Sequence, residues 1–245
     1  MKSLYNDKTK QYLLKFATNA YLGEEDFLVT ACNELAYKTI TLWPCWSHFA
    51  LDIFGPQSCG KSHLAHIWIN HIQRTLQKPI EIPILPASAI NMKNVNKFIN
   101  KYQYLVVENI DTNIHEEALF HLYNAYNTPE HFILFNSLIP LSKILFKLPD
   151  LQSRLNTVPT AEILLPDDEM LTALIAKLFN DRQIMISQEI LDYILKNAER
   201  SFNYISRLIE EIDDISWIYG RTVTIPIVRE AMKNLSKNQQ LDLFT

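Results

Sequence analysis

Glycine is scarce in this chain. There are four glycines in 245 residues, and two of them, Gly55 and Gly60, fall in one short stretch, GPQSCGKS. A chain so sparing of glycine keeps it where the backbone needs conformations that other residues resist. The stretch therefore stands out before any motif is considered.

Other absences exclude whole classes. No apolar run approaches the ~18 residues of a membrane span, and the opening MKSLYNDKTKQ holds no apolar segment of the secretory kind. Cysteines number three, Cys32, Cys45 and Cys59, too few and too far apart for a disulfide framework or a cysteine zinc site. A reducing cytoplasm fits that usage. His63 and His66 share a predicted helix but have no third ligand, so they read as helix residues rather than metal ligands. A basic excess is also missing: 23 Lys and Arg stand against 27 Asp and Glu, for a net charge of −4 and a pI near 6.0. That argues against nucleic acid as the main partner. Lys93, Lys97 and Lys101 are evenly spaced, and the spacing predicts one solvated helix face. Neither an internal repeat nor a low-complexity segment is found. With 48% apolar and 20% charged residues, the chain reads as soluble and globular, with one sizeable domain or two small ones.

What is present begins with GPQSCGKS, residues Gly55 to Ser62, which fits G-x-x-x-x-G-K-[ST] at every fixed position. Glycines let backbone N–H groups turn inward around phosphates, Lys61 neutralises their charge, and the Ser62 hydroxyl ligates magnesium. The context agrees. HFALDIF before the loop is a short apolar strand, and HLAHIWINHIQRTL after it predicts a helix with Leu64, Ala65, Trp68, Ile69, Ile72 and Leu76 on one face.

A P-loop that hydrolyses its nucleotide needs an acid at the end of a neighbouring strand. YLVVENID supplies a strand over Tyr104 to Val107, followed by Glu108. Where many hydrolysing relatives of this architecture carry a second acid, this chain has Asn109, whose amide accepts no proton at neutral pH. Asp111, two residues on, reads as a loop aspartate. A third strand, HFILFNS, ends in Asn136 and Ser137; Asn136 either meets the γ-phosphate and its water or caps the strand. These residues describe a protein that holds nucleotide well and spends it poorly by itself.

After Pro159 the pattern turns helical. PDDEMLTALIAKLF opens with proline and acids, favourable at a helix N-terminus, and three further helical patterns follow. SFNYISRLIEEIDDISWIYG stops at Gly220, a C-cap signal. A small helical bundle thus follows a three-layer α/β domain. KLPDLQSRLNT lies between them, and its Arg154 is either an ordinary ion-pairing residue or a finger projecting into a neighbour's nucleotide. The chain ends KNQQLDLFT, where Leu241, Leu243 and Phe244 have no evident core to join and suit a docking peptide. QYLLKF, Gln11 to Phe16, is similar in character, or else begins a packed first element. Trp43, Trp46, Trp68 and Trp217 read as packing residues.

Together these residues resemble the DnaA-related AAA+ proteins, and among them the regulatory inactivators of the replication initiator in their alphaproteobacterial form. The resemblance covers nearly the whole chain: EDFLVTACNELA, GPQSCGKSHLAHIW, LVVENID, LPDLQSRL, and PDDEMLTALIAKLFNDRQ with ERSF behind it. The P-loop alone indicates only an ATPase; LPDLQSRL together with PDDEMLTALIAKLFNDRQ is far more specific. The resemblance implies an α/β fold: a P-loop AAA+ αβα domain with a parallel sheet, then a helical lid. The expected division is an N-terminal segment over 1–20, the nucleotide-binding domain over 21–165, the lid over 166–235 and a tail over 236–245.

By the same resemblance, Gly55, Ser58, Cys59, Gly60, Lys61, Ser62 and His63 cradle ADP or ATP, with Leu28 and Val29 near the adenine. Ser62 and Glu108 hold Mg2+, Asn136 is the sensor-1 residue, and Arg154 is the finger offered in trans to initiator-bound ATP. Partners are the initiator and the DNA polymerase III sliding clamp, met through Gln11, Leu14 and Phe16 or through Gln240, Leu241, Leu243 and Phe244. Such a protein is cytoplasmic, meets DNA only through the clamp, has no membrane contact, and leaves a homo-oligomer open. Three departures from the family pattern stand out. Asn203 takes the sensor-2 arginine's place, with Arg200 and Arg207 on either side. The initiator's DNA-binding domain is not expected, because the chain stops after the lid. Glu108-Asn109 replaces a paired acid. The competing reading is a free-standing ATPase or helicase loader, and a third is a clamp adaptor whose P-loop is only structural.

Overall fold

The computed structural model describes residues 27–111, 113–219 and 222–242. Five parallel strands form one sheet: β1 (Ala50–Phe54), β2 (Ile84–Pro86), β3 (Tyr104–Ile110), β4 (Phe132–Ser137) and β5 (Thr160–Glu162), in the order β2-β3-β4-β1-β5. Parallel strands need crossover connections, and both faces of the sheet are covered by helices. Alternation along each strand sorts the side chains. Tyr104, Val106, Leu134, Leu51 and Ile53 point to one face, against α1 (Glu34–Thr41) and α2 (Lys61–Leu76). Leu105, Val107, Ile133, Phe135 and Ala50 point to the other, against α3 (Val95–Lys101), α4 (Glu116–Tyr126) and α5 (Pro149–Leu155).

This alternation positions the site. Glu108 continues the face of Tyr104 and Val106, and Asn136 that of Phe132 and Leu134. Both carboxamide and carboxylate therefore emerge on the α2 side, at paired register positions. Asp52 and Ser137 point to the opposite side. A bulge at Asn109, with φ of 56°, interrupts β3 just after Glu108.

The lid comprises α6 (Asp168–Asp181), α7 (Gln188–Asn197), α8 (Phe202–Tyr219) and α9 (Ile225–Asp242), packed around their own apolar core. Asp167 caps α6, its side chain accepting from Met170 N at 2.7 Å. The chain thus forms the expected αβα domain and helical lid. Among the described residues no helix is long and apolar enough to cross a membrane.

Several local expectations change. Two strands, β2 and β5, escape the sequence reading because each is only three residues long. Lys93 lies in the turn before α3, where Asn91 Oδ1 accepts from Lys93 N at 3.0 Å and Asn94 Oδ1 from Asn91 N at 2.9 Å. Those side-chain bonds stop the helix short, so the three lysines share no helix face, and Lys101 pairs with Glu81 at 3.0 Å. On α2, Ile67 is buried and Leu76, the last residue, is 40% exposed. Trp43 and Trp68 are core residues and Trp46 stacks on Trp68, whereas Trp217 is 75% exposed. Helix α9 runs through residues assigned to a tail, so Gln240 and Leu241 have helical backbone. Gln11, Leu14, Phe16, Gly220, Leu243 and Phe244 lie outside the described residues.

Candidate functional site

The loop between β1 and α2 is built from unusual backbone. Ser58 has φ of 57° and Gly60 of 105°, both left-handed, and Gly60 is the N-cap of α2. At Gly55 a side chain has no room, since a Cβ would stand 2.3 Å from the Ile163 carbonyl oxygen. The opening glycine is required by contact, and Gly60 by conformation. The loop delivers the N-terminus of a long helix, with its unpaired N–H groups and positive dipole end, to the C-terminal edge of the sheet.

Lys61 folds back over the loop, its ammonium donating to the carbonyls of Gly55 at 2.7 Å and Pro56 at 2.6 Å. Ser62 Oγ donates to Glu108 Oε1 at 2.8 Å, and Asn136 Nδ2 donates to the same oxygen at 3.0 Å. Ser62 and Asn136, read separately from two motifs, thus converge on the carboxylate of a third, Glu108. Asn136 is 2% exposed, and its Oδ1 is buried without a partner among the described residues. A buried acceptor left open is costly, and a water held beside a phosphate would supply the missing donor.

Cys59 is buried beneath the loop, and burial pushes its thiol above the ordinary value, so it packs rather than reacts. His63 meets the Phe27 ring edge-on at 5.0 Å. Asp111 is engaged locally, its Oδ1 accepting from Asn113 N at 2.7 Å.

Near the expected adenine position, Leu28 is half-buried and Val29 exposed. Their loop is shaped by Asn33, which the sequence reading passed over. Its Nδ2 donates to Leu28 O at 2.8 Å, and Thr30 N donates to its Oδ1 at 3.0 Å. Asn33 is 1% exposed and stands at the N-cap of α1, yet its side chain reaches back to the loop and makes no cap bond. An asparagine just before a helical run was the available signal, but a cap predicts a different use.

The lid closes the site from above. Gln57 and Ser58 face Glu199, Ser201, Asn203, Tyr204 and Arg207 across a cleft. Arg200 turns away and pairs with Asp168 at 2.5 Å. Of the two arginines flanking Asn203, the structure places Arg207 towards the P-loop.

Arg154 is apart from this cleft, on the last turn of α5. It is exposed, and no ion-pair partner for its guanidinium is found among the described residues. Its carbonyl is held by Tyr123 Oη at 3.2 Å and Thr157 Oγ1 at 2.7 Å.

The comparisons with known proteins agree with this architecture. The family model described as "Hda, lid domain" matches residues 167–232. Domain III of the replication initiation protein DnaA from Thermotoga maritima superposes with a TM-score of 0.76 at 18% identity, covering 88% of this chain and 97% of that one. The chromosomal replication initiator protein DnaA of Aliarcobacter butzleri is 25% identical over 248 residues, 95% of this chain and 56% of the relative. The chain is similar to DnaA-related AAA+ proteins, and its residues 167–232 match the Hda lid. It spans little more than half the length of that relative and about half, 49%, of the Bdellovibrio bacteriovorus initiator, to which it is 26% identical. A RuvB variant from Thermotoga maritima shares the AAA+ fold more distantly, with a TM-score of 0.66 and 17% identity over 86% of this chain and 71% of that one. In this frame, α6 to α9 span the segment that matches the Hda lid, and the sheet with α1 to α5 has the AAA+ fold.

Proposed function

We propose that this protein binds an adenine nucleotide with Mg2+ at the Gly55–Ser62 loop and acts as a negative regulator of replication initiation. It does so by presenting Arg154 to ATP held by the initiator. The observation that carries the reading is Arg154 itself: exposed, unpaired among the described residues, and fixed by its backbone. An arginine so placed brings positive charge to a transition state in another molecule, which accelerates phosphoryl transfer by ~10³–10⁵.

The donor set at the loop fits the cofactor. A hydroxyl and a carboxylate 2.8 Å apart suit a small hard cation that keeps most of its water. Ser62 and Glu108 would hold Mg2+, which would supply positive charge against the phosphates. Lys61 exchanges its loop carbonyls for phosphate, Asn136 Oδ1 accepts from a water there, and Arg207 meets the phosphates from the lid. A DnaA structure from Aquifex aeolicus, 20% identical to this chain over 92% of it, with a TM-score of 0.66, is bound to AMPPCP. With Asn109 after Glu108 and Asp111 engaged in its own turn, no well-placed base stands at the loop among the described residues, and the protein turns over its own nucleotide slowly. Nucleotide here is structural or regulatory, and the chemistry belongs to the partner.

The terminal peptides give the tether. Leu243 and Phe244, with Gln240 and Leu241, or Gln11, Leu14 and Phe16, dock on the sliding clamp. A weak tether raises the local concentration on replicating DNA and places a cytoplasmic protein at the nucleoid. The test mixes initiator preloaded with γ-labelled ATP, clamp-loaded DNA and this protein, and follows phosphate release. Faster release is expected, and its loss on deleting 240–245 assigns the tether to that end. Unchanged release with the intact protein, alongside steady turnover of its own ATP, would replace this reading with the free-standing ATPase.

A further inference from the structure

Helix α5 is seven residues long, too short to persist through its own hydrogen bonds. Leu151 and Leu155 seat it in the core, but apolar contact is non-directional. Burial sets the depth of the helix and leaves its rotation and axial position to be set by polar contacts.

Those contacts come from α4. At its first turn, Glu116 Oε1 accepts from Lys147 N at 3.0 Å and Oε2 from Leu148 N at 2.6 Å, the two amides that lead into α5. Further along α4, buried Tyr123 sends its hydroxyl to the Arg154 carbonyl at 3.2 Å, with Thr157 Oγ1 3.3 Å away. His48 Nε2 stands behind the hydroxyl, 3.3 Å from Tyr123 Oη, and the phenol donates to Arg154 O.

We propose that Glu116 and Tyr123 are positioning residues for Arg154, with α4 acting as a splint that fixes both ends of α5. The inference rests on the reading of Arg154 as the finger. It adds how the finger is aimed: the backbone of Arg154 is tied to the core while its guanidinium stays free for another molecule. Charge-assisted bonds at one end and a buried phenol at the other suit that purpose. A shift of about 1 Å in a reacting group can cost ~10²-fold in rate, so a lost tie is read in rate before stability.

The experiment compares the full-length wild type with Tyr123→Phe, Glu116→Gln, Arg154→Ala and the double variant Tyr123→Phe/Arg154→Ala. Phosphate release from the ATP-loaded initiator is titrated with each. Tyr123→Phe keeps the buried ring and loses only the hydroxyl. It is expected to lower maximal stimulation about 10-fold, with the half-maximal concentration and nucleotide-dependent thermal shift unchanged. Glu116→Gln lowers the maximum in the same way. The double variant should match Arg154→Ala, since misplacing an absent finger changes nothing. Full stimulation by Tyr123→Phe and Glu116→Gln, with Arg154→Ala inactive, would overturn the splint and leave the finger standing. A further loss in the double variant, or a loss of nucleotide binding in Tyr123→Phe, would also overturn it. Normal stimulation by Arg154→Ala would instead remove the finger reading beneath it.

Discussion

Ser62, in the first turn of α2, and Glu108, at the bulged end of β3, share a 2.8 Å hydrogen bond across 46 residues of sequence. With Lys61 beside them, they form the core of the proposed nucleotide site. Lys61→Ala and Ser62→Ala should therefore leave the fold intact and remove ligand stabilisation. Wild type at 100 times its dissociation constant gains about 2.7 kcal/mol. The variants should show no thermal shift with ADP or ATP and Mg2+ at the same concentrations. An undiminished shift in Lys61→Ala would favour the adaptor whose P-loop is only structural.

On the reverse face of the sheet, Asp52 is fully buried, its carboxylate accepting from Ser137 Oγ at 2.8 Å and from Leu141 N at 3.1 Å. Burial pushes its carboxyl from 3.8 up to about 7, against the lowering effect of those hydrogen bonds and of the Lys61 charge. Between these two values the folded chain holds a proton that the unfolded chain has released. Stability from this group is therefore greatest below about pH 4, falls as pH rises towards 7, and is flat above. Asp52→Asn cannot ionise and can keep both contacts. The stability difference between variant and wild type, from urea melts, should shift in the variant's favour by up to about 1.4 kcal/mol per pH unit within that window. Parallel curves across it would show that Asp52 stays ionised in the fold.

Gly55→Ala places a methyl group 2.3 Å from the Ile163 carbonyl oxygen and 3.0 Å from Cys59 Sγ. Ile163 cannot easily withdraw, because its N–H donates to Phe54 O at 2.8 Å. The variant should lose about 1–3 kcal/mol, and it should bind nucleotide more weakly because the loop itself is displaced. Calorimetric melting with and without ADP measures both effects. Wild-type values for the two would mean that the loop adjusts freely.

The fold was legible where residues sit in patterned company. The P-loop announces its strand and helix, and the helical periods after Pro166 announce the lid. The two short strands were not legible, because three residues carry too little alternation to register. The lysine face failed because the Asn91 and Asn94 side chains, not spacing, decide where α3 begins. At the site, Glu108 and Asn136 could be chosen from strand-end logic. Their convergence on one oxygen required the register of β3 with β4. Asn33, Arg207 and Tyr123 carry no local motif. They matter through contacts made in three dimensions, and only the fold supplies those.

The central claim is that Arg154 acts on a nucleotide held by another protein. The most direct measurement is single-turnover release of phosphate from ATP-loaded initiator on clamp-loaded DNA, with wild type or Arg154→Ala. The account predicts that wild type accelerates release and that the variant, although folded and still stabilised by nucleotide, loses the acceleration, by ~10³-fold or more. Acceleration by Arg154→Ala equal to that of wild type would contradict it.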